Sequence, residues 1–78
     1  MKADKSIKQK ISKKIGNAIK FYRVKNSITQ EALAYEVGID RTYIGALEQG
    51  VKCASVYCLY LISQELGIKL TDLFDFTL

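Results

Sequence analysis

Few residues in this chain suit covalent chemistry. Its 78 residues include no histidine and only two cysteines, Cys53 and Cys58. These two have neither a histidine partner nor a second cysteine pair, so no zinc or other metal site is expected. They read as reduced thiols. The acidic side chains Glu31 and Glu36 have no base or nucleophile arranged beside them, and no phosphate-cradling glycine loop is present. Neither catalysis nor a cofactor is therefore expected. Arg41, Thr42 and Tyr43 are three successive side chains able to hydrogen-bond. A guanidinium can donate two hydrogen bonds to guanine O6 and N7, and a threonine can offer its hydroxyl or methyl group to a base edge. A tyrosine can bond a phosphate or pack on a thymine methyl.

The elements that position these groups lie between Thr29 and Gly50, in TQEALAYEVGIDRTYIGALEQG. Leu33 and Val37 share one helical face, as do Ile44 and Leu47. Between the pairs stands Gly38, which takes a left-handed conformation without steric cost. Asp40 can cap the next helix, and Ala34 is small where two helices must cross. The pattern predicts helices over about 30–37 and 41–49, joined by a tight turn: a helix-turn-helix.

Lys2, Lys5, Lys8, Lys10, Lys13 and Lys14 make the start of the chain basic. Ile7, Ile11, Ile15 and Ile19 recur every four residues through it, so the first helix can begin well before Ile15. Helix is expected from about Ser12 to Lys25, with Ile15, Ala18, Ile19 and Tyr22 on one face. Asn26 and Ser27 end it, Thr29 caps the second helix, and Ile28 is placed to act as a hydrophobic staple. Ser55 can cap a fourth helix that Gly67 stops. Thr71 can cap a short last one, with Leu70, Leu73 and Phe74 folding back onto the core. The expected organisation is a basic, partly helical extension over 1–14 and one all-α domain over 15–78.

The fourth helix departs from simple amphipathicity. Val56, Leu59, Ile62 and Leu66 form a core stripe, yet Tyr57, Cys58, Tyr60 and Leu61 make its first turns apolar nearly all round. A second copy of the chain is the expected cover for Tyr57, Tyr60 and Leu61, giving a homodimer. At 78 residues the core is small, and an interface would add to its stability. The formal charge of +4 suits an anionic partner. The apolar run from Val56 to Ile62 is too short to span a bilayer, and no signal peptide is visible, so a cytoplasmic protein without a membrane partner is expected.

With these residues in place, the block from Ile15 to Phe74 resembles the Cro/C1-type (XRE-like) helix-turn-helix family of phage repressors. Gln30, Ala34, Gly38, Ile44, Leu47 and the GIKLTDLF ending fit its framework. DRTYIGALEQG is similar to the same segment in controller proteins of restriction-modification systems. The resemblance implies an all-α, five-helix, repressor-like domain with its helix-turn-helix at helices 2 and 3. It also implies a dimeric transcription regulator, acting as activator or repressor, that binds a symmetric double-stranded DNA operator and controls its own promoter. No small-molecule ligand is expected. An antitoxin or a phage-type repressor of the same fold remains the alternative.

The resemblance places the start of helix 3 in the major groove. Arg41, Thr42, Tyr43 and Ala46 are then the expected base contacts, and Gln30, Gln49 and Lys52 the expected phosphate contacts. Gly45 and Ala46 offer bases no hydrogen bonds, so DNA shape is expected to supply part of the specificity. The same resemblance implies a structural ion pair between Arg23 and Glu48.

Overall fold

A computed structural model describes residues 4–78; Lys2, counted in the basic extension, lies outside them. The described chain is all-helical and contains no strand. Its elements are α1 (Lys5–Lys25), α2 (Gln30–Val37), α3 (Arg41–Glu48), α4 (Val56–Leu66) and a 3-10 helix (Leu70–Phe74). There are thus four α-helices rather than five. The last segment has only five residues and closes as a tight 3-10 turn, with the Asp72 carboxylate accepting the Lys69 N–H at 2.9 Å. Lys69, not Thr71, therefore precedes this element.

Each α-helix starts on a side-chain cap. Asp4 accepts from the Ser6 N–H, Thr29 from Ala32, Asp40 from Thr42 and Ser55 from Cys58, at 2.7–3.1 Å. These acceptors satisfy backbone donors that have no partner inside the helix. Gly38, at φ 84°, ends α2 in the left-handed conformation that the short link to α3 requires.

Helix α1 begins at Lys5, earlier than Ser12, and runs unbroken past Lys14. Its isoleucines record how it leaves the core: Ile19 and Ile15 are buried, Ile11 is half-buried and Ile7 is 45% exposed. Ala18, Tyr22 and Ile28 pack against the core at its edge. Asn26 closes α1, and its amide donates to the carbonyls of Tyr22 and Leu66, tying the α1–α2 loop to the end of α4.

The core comprises Ile15, Ile19, Leu33, Ala34, Ile44, Leu47, Leu59, Ile62, Leu66 and Leu73. It lies where α1 packs on α3 and the 3-10 helix, and α2 packs on α3 and α4. Two residues expected to face it do not. Val56, the first residue of α4, is 66% exposed, because side chains lean toward a helix's N-terminus and this one leans past the helix start. Phe74 is 39% exposed. The Phe76 N–H donates to the Phe74 carbonyl in a tight turn around Asp75, and Phe76 packs against the core instead.

Candidate nucleic-acid interface

The α2–α3 unit is held to α1 by a polar network buried at its centre. Arg23 of α1 grips Glu48 of α3 with two hydrogen bonds, Nε to Oε2 at 2.6 Å and Nη2 to Oε1 at 3.0 Å. Its Nη1 donates to the Ile28 carbonyl at 2.8 Å, and the Gln30 amide donates to Glu48 Oε1 at 3.0 Å. The Arg23–Glu48 pair thus joins α1, the loop after it, α2 and α3. The Glu48 side chain is 2% exposed and that of Arg23 12%. A bidentate guanidinium fixes orientation as well as charge, which sets where α3 stands relative to α1.

Backbone contact reinforces the network. Gly16 lies against the carbonyls of Leu47 and Glu48, so close that a Cβ there would sit 2.8 Å from the Glu48 oxygen. Gly50, at φ 76°, meets α1 in the same way, and a Cβ on it would lie 2.8 Å from Lys13 Cα. Helix α1 therefore crosses the end of α3 at two glycines. Gly16 was not singled out by motif or periodicity. Its signal was a glycine inside a helix, a placement that costs about 1 kcal/mol relative to alanine and so points to a packing reason.

On this frame, Arg41 and Thr42 are exposed in the first turn of α3, and Tyr43 is half-buried behind them. Arg41, Thr42, Gly45, Ala46 and Gln49 line one shallow depression together with Gln30 and Val51, about 330 Å³ in volume. Thr42 and Ala46 also line a second, with Asp40, Tyr43 and Lys52. All seven candidate DNA-contacting residues therefore border one continuous surface. Gln30 has a second role there: its amide is bonded to Glu48, and its Oε1 lies over Gly45, 3.8 Å from where a Cβ would stand. A Cβ at position 45 would stand in ordinary van der Waals contact with that amide.

Elsewhere, α4 presents Tyr57 and Tyr60 to solvent beside the half-buried Leu61, at helix spacings of three and four. Cys53 is exposed, and Cys58 packs against the core. Burial pushes the Cys58 thiol above its ordinary range, which keeps it protonated and poorly nucleophilic.

Two short helices joined through a left-handed glycine, the second with an exposed polar start, have the form of a helix-turn-helix. Comparison with known proteins agrees: residues 16–76 match the helix-turn-helix domain family, and the chain belongs to it. It is 42% identical over 53 residues to the control protein C.BamHI of Bacillus amyloliquefaciens, covering 68% of this chain and 65% of that protein. The chain thus spans just under two thirds of that relative's length. It is 38% identical to the control protein C.MunI of a Mycoplasma species, covering 80% of this chain and 85% of that one. Among solved structures it is similar to the restriction-modification controller protein C.AhdI of Aeromonas hydrophila. That match has a TM-score of 0.78 and 30% identity, covering 81% of this chain and 96% of the other.

Proposed function

We propose that this protein is a controller-type transcription regulator that binds a two-fold symmetric DNA operator as a homodimer and regulates its own promoter. The observation that carries this reading is the single surface formed by Gln30, Arg41, Thr42, Gly45, Ala46 and Gln49, fixed to α1 through Glu48. Arg41 and Thr42 are the base readers. Ala46 meets a thymine methyl, and Tyr43 reaches a base or a phosphate from the flank. Lys52, Gln49 and the start of α2 at Gln30 hold phosphates. With its amide bonded to Glu48, Gln30 contributes through its backbone N–H and its remaining amide hydrogen.

One such unit has few direct readers, so specificity requires two units and sequence-dependent DNA shape. The exposed Tyr57 and Tyr60, with Leu61, supply the interface between copies. Named relatives support the regulatory part of the proposal: they are control proteins, and C.AhdI is a restriction-modification controller. Among the described residues no helix is long and apolar enough to cross a membrane, and a cytoplasmic site of action is part of this reading.

The test is a hydroxyl-radical footprint on duplexes selected by the protein from a random pool and on the DNA upstream of its gene. Two protected patches are expected, related by two-fold symmetry, with centres roughly 34–36 Å apart. Tyr60→Glu is expected to require higher protein concentration for the same protection and to sediment as a lighter species. A native protein that protects one unsymmetrical patch and sediments as a monomer at micromolar concentration would overturn the dimeric reading.

A further inference from the structure

A second groove lies outside the surface just described. It is an open cleft of about 760 Å³ between the first half of α1 and the loop after α3, lined by Lys10, Lys13, Lys14, Ser6, Gln9, Asn17, Gly50 and Val51. None of these residues is acidic. Lys10 and Lys14 are four apart and Lys13 three from Lys10, so the three ammonium groups share one helical side. Helix α1 as a whole carries eight of the chain's 12 lysines and arginines and no acidic residue. Among the described residues the one salt bridge is Arg23–Glu48, which leaves these lysines without carboxylate partners.

Two further features locate this charge. Val51 lines both this cleft and the depression that holds Arg41, Thr42 and Ala46, so the two surfaces meet along one edge. The Gly50–Lys13 backbone contact then fixes the basic side of α1 relative to α3. The early turns of α1 do little for the core, since Ile7 is largely exposed and the helix there projects beyond it. The early turns of α1 therefore carry Lys10, Lys13 and Lys14 along the edge of the core, next to the loop after α3.

We propose that Lys10, Lys13 and Lys14 form a second phosphate-binding strip that holds the DNA backbone beyond the segment read by α3. The inference rests on the DNA-binding reading above and adds to it a sequence-independent clamp on flanking duplex. Each lysine that neutralises a phosphate releases condensed counterions and steepens the fall of affinity with salt by about 0.9 logarithmic units. Ser6, Gln9 and Asn17 stand in the same cleft as neutral hydrogen-bonding groups for phosphate oxygens.

The experiment compares salt dependence of binding to a selected operator with long flanks for three proteins. These are the native chain, Lys10→Gln/Lys13→Gln/Lys14→Gln, and a charge-matched control, Lys20→Gln/Lys25→Gln/Lys69→Gln. The cleft variant is expected to lower the slope of log K against log salt by about 2–3 per protomer, with its operator-to-random affinity ratio unchanged. The control is expected to change the slope little. All six side chains are exposed, so both variants should melt like the native protein. A native-like slope in the cleft variant, or equal losses in the two variants, would overturn the clamp while leaving the operator reading intact. Native protein with no affinity for duplex DNA would remove both. A native-like DNA slope with lost binding to phosphatidylserine vesicles would assign the cleft to a membrane surface instead.

Discussion

Replacing Arg23 with alanine is expected to lower the unfolding free energy by about 3–5 kcal/mol, the range found when one partner of a buried ion pair is removed. The Glu48 side chain is 2% exposed, so the substitution strands a carboxylate where water cannot solvate it. Gln30 would remain as its single hydrogen-bond donor. The Ile28 carbonyl would lose its bond to Nη1 as well, which loosens the entry to α2. Because native proteins have only about 5–15 kcal/mol of stability in all, a loss of this size would remove a large share of it. Urea unfolding followed by circular dichroism measures it. Removing both charges, as Arg23→Met/Glu48→Leu, is expected to recover most of the loss, since apolar replacements of a buried pair are often neutral or stabilising. A loss below about 1 kcal/mol for Arg23→Ala would mean that the pair is solvated and contributes as a surface bridge does.

Gly16→Ala is expected to destabilise as well, by less and for a steric reason. In an unobstructed helix this substitution stabilises by about 1 kcal/mol. Here the new methyl group would drive into the carbonyls of Leu47 and Glu48, which are backbone atoms and cannot swing aside as a side chain can. Overpacking of this kind costs about 1–3 kcal/mol, and the rigid obstacle places Gly16 at the upper end, for a net destabilisation of roughly 2 kcal/mol. The structural consequence matters more than the energy. Helix α1 would have to lift off the end of α3, moving the frame that holds Arg41 and Thr42. Asn17→Ala is the control, one residue along the same helix and exposed. Its thermal midpoint is expected to stay level or rise while that of Gly16→Ala falls. A rise for both would show that the helices have room to separate.

The sources of these two effects differ in how far the sequence reveals them. Ile15, Ile19, Leu33, Ile44 and Leu47 fall at helical spacings, and burial follows directly from that periodicity. The caps at Thr29, Asp40 and Ser55 are equally local, because a capping side chain bonds the backbone two or three residues ahead. Val56 and Phe74 failed because both sit at the end of an element, where the residue type says apolar but direction decides exposure. Gly16 was illegible for another reason: its neighbours are more than thirty residues away, and no spacing within α1 encodes them. The Arg23–Glu48 pair spans 25 residues and became an expectation only through family resemblance. The bond from Gln30 to Glu48 went unforeseen altogether, and it turns a residue expected simply to hold phosphate into a link between the DNA-facing surface and its support.

Sequence recognition by the start of α3 is the central claim, and the affinity ratio between operator and random duplex for Arg41→Ala tests it most directly. The native protein and the variant are titrated against both DNAs at one fixed salt concentration, so the shared phosphate contribution cancels in the ratio. The variant is expected to lose about 1–3 kcal/mol on the operator and much less on random DNA, with discrimination at one guanine relaxed and the fold unchanged. Equal losses on the two DNAs would show that Arg41 holds a phosphate, and sequence reading by this turn of α3 would then have to be abandoned.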